Sequence, residues 1–215
     1  MGNSNLTEKF LNLIVPPYCV CCSKNGRLLC HRCYQLIHFN AQPANNNLFS
    51  QEFLDQALSL AVYQPPISDL IKSLKYQHVK KIGVVLAELL YNHLQLPKCD
   101  LITWAPISKK RLNERGFNQA QMIGEGLGRI MKTPTKTVLK KVKHTSKQAK
   151  SSFAQRLANL QDTFEVEASF QHCLKNKTVM IVDDVLSTGS TLNECARMLK
   201  MAGVKVVVGV AVARS

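Results

Sequence analysis

Apolar runs along the chain alternate with segments in which apolar residues recur at helical spacing. Four runs are short enough to be strands, and they cover residues 57–63, 101–105, 179–182 and 204–213. Runs without polar alternation are typical of strands buried on both faces of a sheet. The pattern therefore predicts an α/β fold with an open, mostly parallel sheet.

Between the runs, apolar side chains recur at i, i+3, i+4 and i+7, the stripe of a helix packed on a core. The stretches with this spacing begin near residues 67, 82, 120 and 192, and the second extends to about residue 93. Gly203 is expected to end the last helix. Residues 41–47 contain three consecutive asparagines and a proline, and we interpret them as a linker.

Residues 179–191, V-M-I-V-D-D-V-L-S-T-G-S-T, combine a buried strand, an acidic pair and a hydroxyl-rich turn that opens a helix. Ligands of open α/β sheets bind at the carboxyl ends of the strands, and a helix N-terminus attracts phosphate. The carboxylates would repel that phosphate and instead suit hydroxyls, an amine or a cation. A ribose 5-phosphate satisfies both halves. The alternative is a capped turn with two solvated aspartates.

Residues 182–191 resemble the phosphoribosyl pyrophosphate signature of type I phosphoribosyltransferases. The resemblance implies that Asp183 and Asp184 hold the ribose hydroxyls and act as the catalytic pair. It also implies that the small loop cradles the 5-phosphate. The phosphoribosyl-binding residues would then be Asp183, Asp184, Val185, Leu186, Ser187, Thr188, Gly189, Ser190 and Thr191.

The overall charge points to phosphate-rich partners. Lysine and arginine number 28 against 14 acidic residues, which gives a net charge of +14 and a pI of about 9.6. The longest apolar run is too short to span a bilayer, and the N-terminal segment has neither a basic leader nor a small-residue cleavage site. We therefore expect a cytoplasmic protein without membrane insertion, with cysteines that are reduced or metal-bound.

Five of the eight cysteines lie within residues 19–33, and four of them spell C-x2-C-x7-C-x2-C. Two such pairs can surround a tetrahedral zinc ion with thiolates. A disulfide pair and unliganded thiols are the alternatives, and Cys21 could replace one of the first two ligands. The predicted structural Zn²⁺ ligands are Cys19, Cys22, Cys30 and Cys33.

A basic stretch follows the predicted strand at residues 101–105. If the domain is a phosphoribosyltransferase, this stretch is the loop that meets pyrophosphate, for which lysine and arginine are suited. A solvated turn is the alternative. The predicted pyrophosphate residues are Pro106, Ile107, Ser108, Lys109, Arg111 and Arg115.

Residues 115–120 spell R-G-F-N-Q-A, and residues 148–164 contain Q-x7-R-x2-N-x4-F. With the cysteine pairs, Lys75–Tyr76 and the D-D-V-x-S-T-G-S-T loop, they resemble the ComF family (ComFC type) of competence proteins. The resemblance implies a zinc module at residues 1–40, a linker at 41–52 and a phosphoribosyltransferase-like domain at 53–215. It further implies phosphoribosyl pyrophosphate with Mg²⁺ as ligand. Helicase or DNA-processing proteins of natural transformation are the implied protein partners.

Residues 126–161 contain nine basic and no acidic residues. A mobile flap beside the site and a groove for single-stranded DNA are compatible interpretations, and a solvated face is the alternative. Phe117 and Phe153 are the aromatic residues within reach of such a groove, so binding is expected to be mostly electrostatic. The predicted nucleic-acid residues are Lys75, Lys140, Lys141, Lys143, Lys147, Lys150 and Arg156.

Two functions follow from these patterns. The first is a protein of DNA uptake that binds phosphoribosyl pyrophosphate and single-stranded DNA. The second is an active phosphoribosyltransferase whose acceptor, a nucleobase or an amine, the sequence does not identify. A fold of this kind supports either function.

Overall fold

The computed structural model describes residues 17–40, 52–77, 79–142 and 163–215. Within these segments the chain forms six α-helices and six strands. The helices are α1 His31–Gln35, α2 Ile67–Tyr76, α3 Ile82–His93, α4 Lys109–Arg115, α5 Gln119–Met131 and α6 Ser190–Met201. The strands are β1 Gln56–Val62, β2 Leu101–Trp104, β3 Leu139–Lys141, β4 Phe164–Val166, β5 Thr178–Leu186 and β6 Val206–Arg214.

The central sheet has the order β1-β6-β5-β2, and all of its strand pairs are parallel. Met180 and Val182 of β5 lie in the core with α2, α3 and α5, whereas Val179 and Ile181 lie in the core with α6. Strand side chains alternate between the faces of a sheet, so the apolar run in β5 supplies both layers. The predicted α/β fold with a parallel sheet is confirmed, and β3 and β4 form a separate antiparallel pair.

The helix predicted for residues 82–93 has the bounds that the apolar spacing indicated, and the helix predicted from residue 67 begins at Ile67. Strand β5 is longer than predicted. Its apolar run stops at Val182, but β6 continues beside it, with Asp183 opposite Ala211 and Leu186 opposite Arg214. Hydrogen bonding with that neighbour extends the strand through the acidic pair.

The basic stretch after β2 is not a loop over its whole length, because residues 109–115 form helix α4. Ser108 caps this helix: its hydroxyl accepts a hydrogen bond from the backbone N–H of Arg111 at 3.3 Å. Gly116 ends it in the left-handed conformation at φ +71°. The predicted pyrophosphate residues therefore lie in the short segment between β2 and α4, Pro106 to Ser108, and on a short helix.

Both edge strands of the sheet have backbone partners. Beside β1, the backbone N–H of Val62 donates to His38 O at 3.0 Å, and that of Asn40 donates to Leu60 O at 2.9 Å. Beside β2, the backbone N–H of Ile102 donates to Pro134 O at 2.9 Å. Short chain segments thus cover the two edges.

The cysteine segment is attached to the sheet and to α3. Ile37 is buried in the core that α2 and α3 share. The ring of Phe39 stacks on that of His93 with centroids 3.9 Å apart, and the Tyr34 hydroxyl lies 2.9 Å from Nε2 of His93. The predicted linker falls largely on residues 41–51, which lie outside the described segments. In the part of the chain that is described, no helix combines the length and the apolar character needed to cross a membrane.

Candidate functional site

The two carboxylates at the end of β5 point to opposite faces of the sheet. Asp184 is 5% exposed and contacts residues of α2 and α5. Asp183 lies on the side of α6, close enough to the buried Cys195 that its charge adds to the effect of burial in raising the pKa of that thiol. The Oδ1 atom of Asp183 accepts the backbone N–H of Asp184 at 2.8 Å. The two carboxylates of the pair therefore lie in different environments.

Protein groups contact both carboxylate oxygens of Asp184. Lys75, at the end of α2, forms an ion pair with Oδ2. The Gln119 side chain, at the start of α5, donates from Nε2 to Oδ1 at 3.1 Å. Arg115 donates from Nη1 to Oε1 of Gln119 at 2.9 Å, which fixes the orientation of that amide. A chain of contacts thus connects the end of α4 with the acidic pair.

The R-G-F-N-Q-A stretch builds this arrangement. Asn118 caps α5 by accepting the backbone N–H of Ala120 at 3.0 Å, and its Nδ2 donates to Ala105 O at 2.9 Å. The start of α5 is thereby fastened to the end of β2. Phe117 is 5% exposed, with the Lys80 ammonium 5.4 Å from its ring centroid. The motif therefore positions Gln119.

The loop between β5 and α6 has the geometry of an anion cradle. Gly189 is buried at φ +74° and precedes the first residue of α6. The hydroxyls of Thr188 and Ser190 lie 2.8 Å apart, and the backbone N–H of Ser190 donates to the Thr188 hydroxyl at 3.4 Å. Ser187 is exposed and Thr191 is half-buried. Backbone N–H groups at the start of a helix lack the carbonyl partners that later N–H groups have, so the first turn of α6 and these hydroxyls suit a phosphate.

Basic side chains accompany the loop. Lys109 and Arg111 are exposed on α4, and Arg115 is half-buried at its end. Burial lowers the pKa of Lys141 on β3, and the nearby charge of Arg111 lowers it further. Arg111 and Lys141, far apart in sequence, are thus neighbours, and β3 contributes to the cationic surroundings of α4.

Burial raises the pKa of Asp183 well above the usual range of a carboxyl, and the charge of Asp184 raises it further. Two adjacent carboxyls that interact in this way titrate as a unit. The folded protein consequently holds a proton on the pair at pH values where the unfolded chain has lost it.

This shift predicts a pH dependence of stability. Because the folded state binds the Asp183 proton more tightly than the unfolded chain does, the free energy of unfolding should fall as the pH rises from about 4 toward neutrality. Asp183→Asn removes the titrating group, so the variant should be more stable than the parent at pH 7 and similar to it at pH 4. Urea denaturation at pH 4, 5.5 and 7 measures the effect. Parallel curves for the two proteins would contradict it.

The four predicted metal ligands lie together. The Sγ atoms of Cys19, Cys22, Cys30 and Cys33 are all within 4.8 Å of one another, and those of Cys22 and Cys30 are 3.6 Å apart. A zinc ion with four Zn–S bonds of about 2.3 Å requires sulfur–sulfur distances of about 3.8 Å. The thiols are free, so this group could hold a metal ion.

Local polarity favours the thiolate form at one ligand. Burial raises the pKa of Cys19, but hydrogen bonds from the backbone N–H groups of Cys30, Cys21 and Cys22 outweigh it and bring that pKa to about 6. Cys21 lies outside the four-sulfur group. Its Sγ is 3.7 Å from Pro66 O, and burial raises its pKa to about 12. The alternative in which Cys21 replaces a ligand is not the arrangement in this structure.

Comparison with known proteins shows the family of this chain. Residues 79–214 match the phosphoribosyl transferase domain family. Competence protein F of Haemophilus influenzae is 33% identical over 186 residues, which cover 82% of this chain and 80% of that protein. The chain belongs to the ComF family of phosphoribosyltransferase-domain proteins.

Other similar proteins cover different shares of the chain. DNA utilization protein YhgH of Escherichia coli K12 is 30% identical over 198 residues, covering 86% of this chain and 85% of that protein. Competence protein ComFC of Bacillus subtilis is 33% identical over 98 residues, covering 46% and 37%. Adenine phosphoribosyltransferase from Thermoanaerobacter pseudethanolicus is structurally similar at a TM-score of 0.41 and 18% identity, covering 66% of this chain and 72% of that one.

The residues predicted to bind nucleic acid have different neighbours in the described part of this ComF-family chain. Lys75 lies at the acidic pair, whereas Lys140 on β3 is 3.6 Å from Glu165. Lys141 lies 5.5 Å from the ring centroid of Phe164. The remaining predicted residues, Lys143, Lys147, Lys150 and Arg156, are outside the described segments, as is Phe153.

Three residues of the site were not assigned to it from the sequence. Gln119 and Lys75 reach Asp184 from helices that are distant in sequence, and apolar periodicity carries no signal for such contacts. Tyr76 is 66% exposed, with the Arg115 guanidinium 5.3 Å from its ring centroid. The Lys75–Tyr76 pair at a helix end was the available signal for both residues.

Proposed function

We propose that this ComF-family protein binds phosphoribosyl pyrophosphate with Mg²⁺ at the carboxyl end of β5 and acts in natural transformation. The observation that supports it best is the junction of β5 and α6, where an acidic pair and a glycine-containing anion loop meet at one strand end. Two relatives are named for competence and for DNA utilization, which supports the biological setting.

Each part of the ligand has suitable groups. The 5-phosphate accepts hydrogen bonds from the backbone and hydroxyls of residues 187–191, and the ribose hydroxyls lie toward the acidic pair. Lys109, Arg111 and Arg115 on α4 offer cations to the pyrophosphate. Mg²⁺, when bound with the ligand, offsets the charge of the pyrophosphate oxygens.

The alternative is an active phosphoribosyltransferase. In that reaction the nitrogen of a nucleobase or amine attacks the anomeric carbon of the ribose and forms a C–N bond. Pyrophosphate leaves with the electron pair of the broken C–O bond, and the nitrogen loses its proton to solvent. The cationic groups of α4 would stabilise the leaving group. The two functions share the site and differ in whether an acceptor is consumed.

Calorimetric titration with phosphoribosyl pyrophosphate and Mg²⁺ tests the site without assuming catalysis. We expect saturable binding, with ribose 5-phosphate binding more weakly because it lacks the pyrophosphate. Absence of heat and of any thermal stabilisation with phosphoribosyl pyrophosphate would refute the proposal. Release of pyrophosphate that depends on an added nucleobase or amine would establish the enzyme instead.

The four-cysteine group supports a structural Zn²⁺ in a module that spans residues 1–40, joined through residues 41–52 to the phosphoribosyltransferase-like domain at 53–215. Four thiolates in a closed site leave no position for a substrate, which is typical of structural zinc. Metal analysis of the purified protein tests this assignment, and we expect one zinc per chain. Folded protein with much less zinc would count against it.

Single-stranded DNA is the second ligand that we propose, with a competence helicase or DNA-processing proteins as partners in the cytoplasm. The net charge of +14 supports attraction to a phosphate backbone. Tyr76 adds an exposed aromatic ring beside Arg115, a pairing that suits base stacking. Phe117, the stacking candidate from the sequence, is buried and unsuited to this role.

DNA affinity should depend steeply on salt. If about five phosphates are neutralised, the affinity for a single-stranded oligonucleotide should fall about 100-fold between 50 and 200 mM salt. Tyr76→Leu should weaken binding by about tenfold without changing the slope, because stacking releases no counterions. Tyr91→Leu, at a tyrosine on α3 that is 48% exposed, is the matched control. Equal affinity at both salt concentrations would refute backbone binding.

A further inference from the structure

The ion pair between Lys75 and Asp184 is unusual because it is buried. The side chains are 18% and 7% exposed, respectively. Removing two charges from water is costly, and breaking such a pair by deleting one partner leaves an uncompensated charge. The Gln119 amide donates a hydrogen bond to the other carboxylate oxygen of Asp184, Oδ1. A charge with this many protein partners is held in a fixed place.

The neighbouring carboxylate, that of Asp183, has different surroundings from those of Asp184. Asp183 is half-buried, and the described contact of its Oδ1 atom is local, to the backbone N–H of the next residue. A ribose that approaches the end of β5 can therefore reach the half-buried Asp183 without breaking an ion pair among the described residues. It meets Asp184 only if the ligand displaces Lys75 or Gln119.

The ligand itself supplies the reason for such an arrangement. Phosphoribosyl pyrophosphate is highly anionic, and two bare carboxylates beside its ribose would repel it. Lys75 cancels one of these charges from inside the protein. The same residue joins the end of α2 to β5, and through Gln119 and Arg115 the acidic pair is connected to the end of α4.

We propose that Lys75 is a positioning residue of the phosphoribosyl site, which holds and neutralises Asp184 so that Asp183 is the carboxyl that contacts the ribose. The inference rests on the proposed binding of phosphoribosyl pyrophosphate. The sequence implied that both carboxylates contact the ribose hydroxyls; here that contact is assigned to Asp183 alone. Lys75 thus acts through Asp184, which Gln119 also holds.

The test is a double-mutant cycle with Lys75→Met and Asp184→Asn, followed by titration with phosphoribosyl pyrophosphate and Mg²⁺. Lys75→Met leaves a buried, unpaired carboxylate and should weaken binding at least tenfold. Adding Asp184→Asn removes that charge and should restore affinity to within about threefold of the parent. If Asp184 contacts the ribose itself, the second substitution weakens binding further, and the proposal is wrong.

Comparing the binding of ribose 5-phosphate with that of phosphoribosyl pyrophosphate distinguishes an electrostatic effect of Lys75→Met from a general loosening of the fold. Lys75→Met should weaken the binding of phosphoribosyl pyrophosphate more than that of ribose 5-phosphate, because the former carries more negative charge. Equal losses would indicate a merely structural role and overturn the proposal. Lys72→Met is the control on the same helix, at a lysine 58% exposed, and should bind both ligands like the parent.

The titrations distinguish failure of the proposed function from failure of the positioning role of Lys75. If the parent protein binds neither ligand, the proposed function fails and the positioning role fails with it. If the parent binds both and the double variant is weaker than Lys75→Met, the proposed function stands and the positioning role alone is wrong. Thermal unfolding of each variant shows whether Lys75→Met is folded, and the double variant, which carries no unpaired buried charge, keeps the comparison available if it is not.

Discussion

Cys33→Ser is expected to remove the metal from the protein and to unfold residues 17–40 locally. Cys33 is buried among the other three sulfurs, and serine is a poor zinc ligand. In zinc modules of this size the metal contributes about 10–16 kcal/mol in peptides, which exceeds what so small a core supplies. Amide hydrogen exchange in residues 17–40 should accelerate about 100-fold or more, while β5 and β6 stay protected.

Cys173→Ser is the matched control for this change. Cys173 is exposed, lies outside the four-sulfur group, and its described contact is a hydrogen bond of 3.3 Å to Phe170 O. It should retain zinc and parental exchange rates. If Cys33→Ser retained one zinc per chain with full protection of residues 17–40, the four-thiolate centre would be refuted.

Gly189→Val is expected to abolish binding of phosphoribosyl pyrophosphate, with a loss of about 100-fold or more in affinity. The residue is buried at φ +74°, where a β-branched side chain is strained, and it precedes the N-terminus of α6. The backbone must move to relieve the strain, which displaces the N–H groups that cradle phosphate. The free energy of unfolding should also fall by about 1–2 kcal/mol.

Gly203→Val separates the two effects of that substitution. Gly203 lies beyond the other end of α6 at φ +86°, and an added Cβ would meet side-chain and backbone atoms of Lys175 at ordinary contact distances of 3.5 Å or more. The variant should lose comparable stability and keep parental ligand affinity. Equal loss of affinity in both variants would mean that the effect is global destabilisation, and the assignment of the phosphate loop would fail.

Periodicity predicted the elements whose side chains meet the core in regular order. Helix α3 presents Ile82, Leu86 and Leu90 on one buried face, so its bounds followed from apolar spacing alone. The bounds of β5 did not follow, because its last part is held by hydrogen bonds to β6 rather than by apolar side chains. Helix α4 was not predicted either, because none of its residues is buried and apolar spacing indicates only helices that face the core.

The candidate site was predicted in part. Asp183, Gly189 and the hydroxyls between them are consecutive in sequence, so one motif carries them all. The partners of Asp184 are 109 and 65 residues away, and their positions depend on how α2 and α5 cross the sheet. The resemblance to ComF proteins marked the R-G-F-N-Q-A stretch, but its role in directing Gln119 to Asp184 is a property of the folded chain.

The segment that covers the outer edge of β1 connects metal loading with solubility. His38 and Asn40, which supply its backbone hydrogen bonds, follow the last of the four clustered cysteines by only a few residues. When the module unfolds, this cover is lost and β1 presents unpaired N–H and C=O groups. An unpaired edge strand is a template for pairing with another chain. Zinc depletion should therefore turn this protein toward self-association, with light scattering rising before the central sheet unfolds.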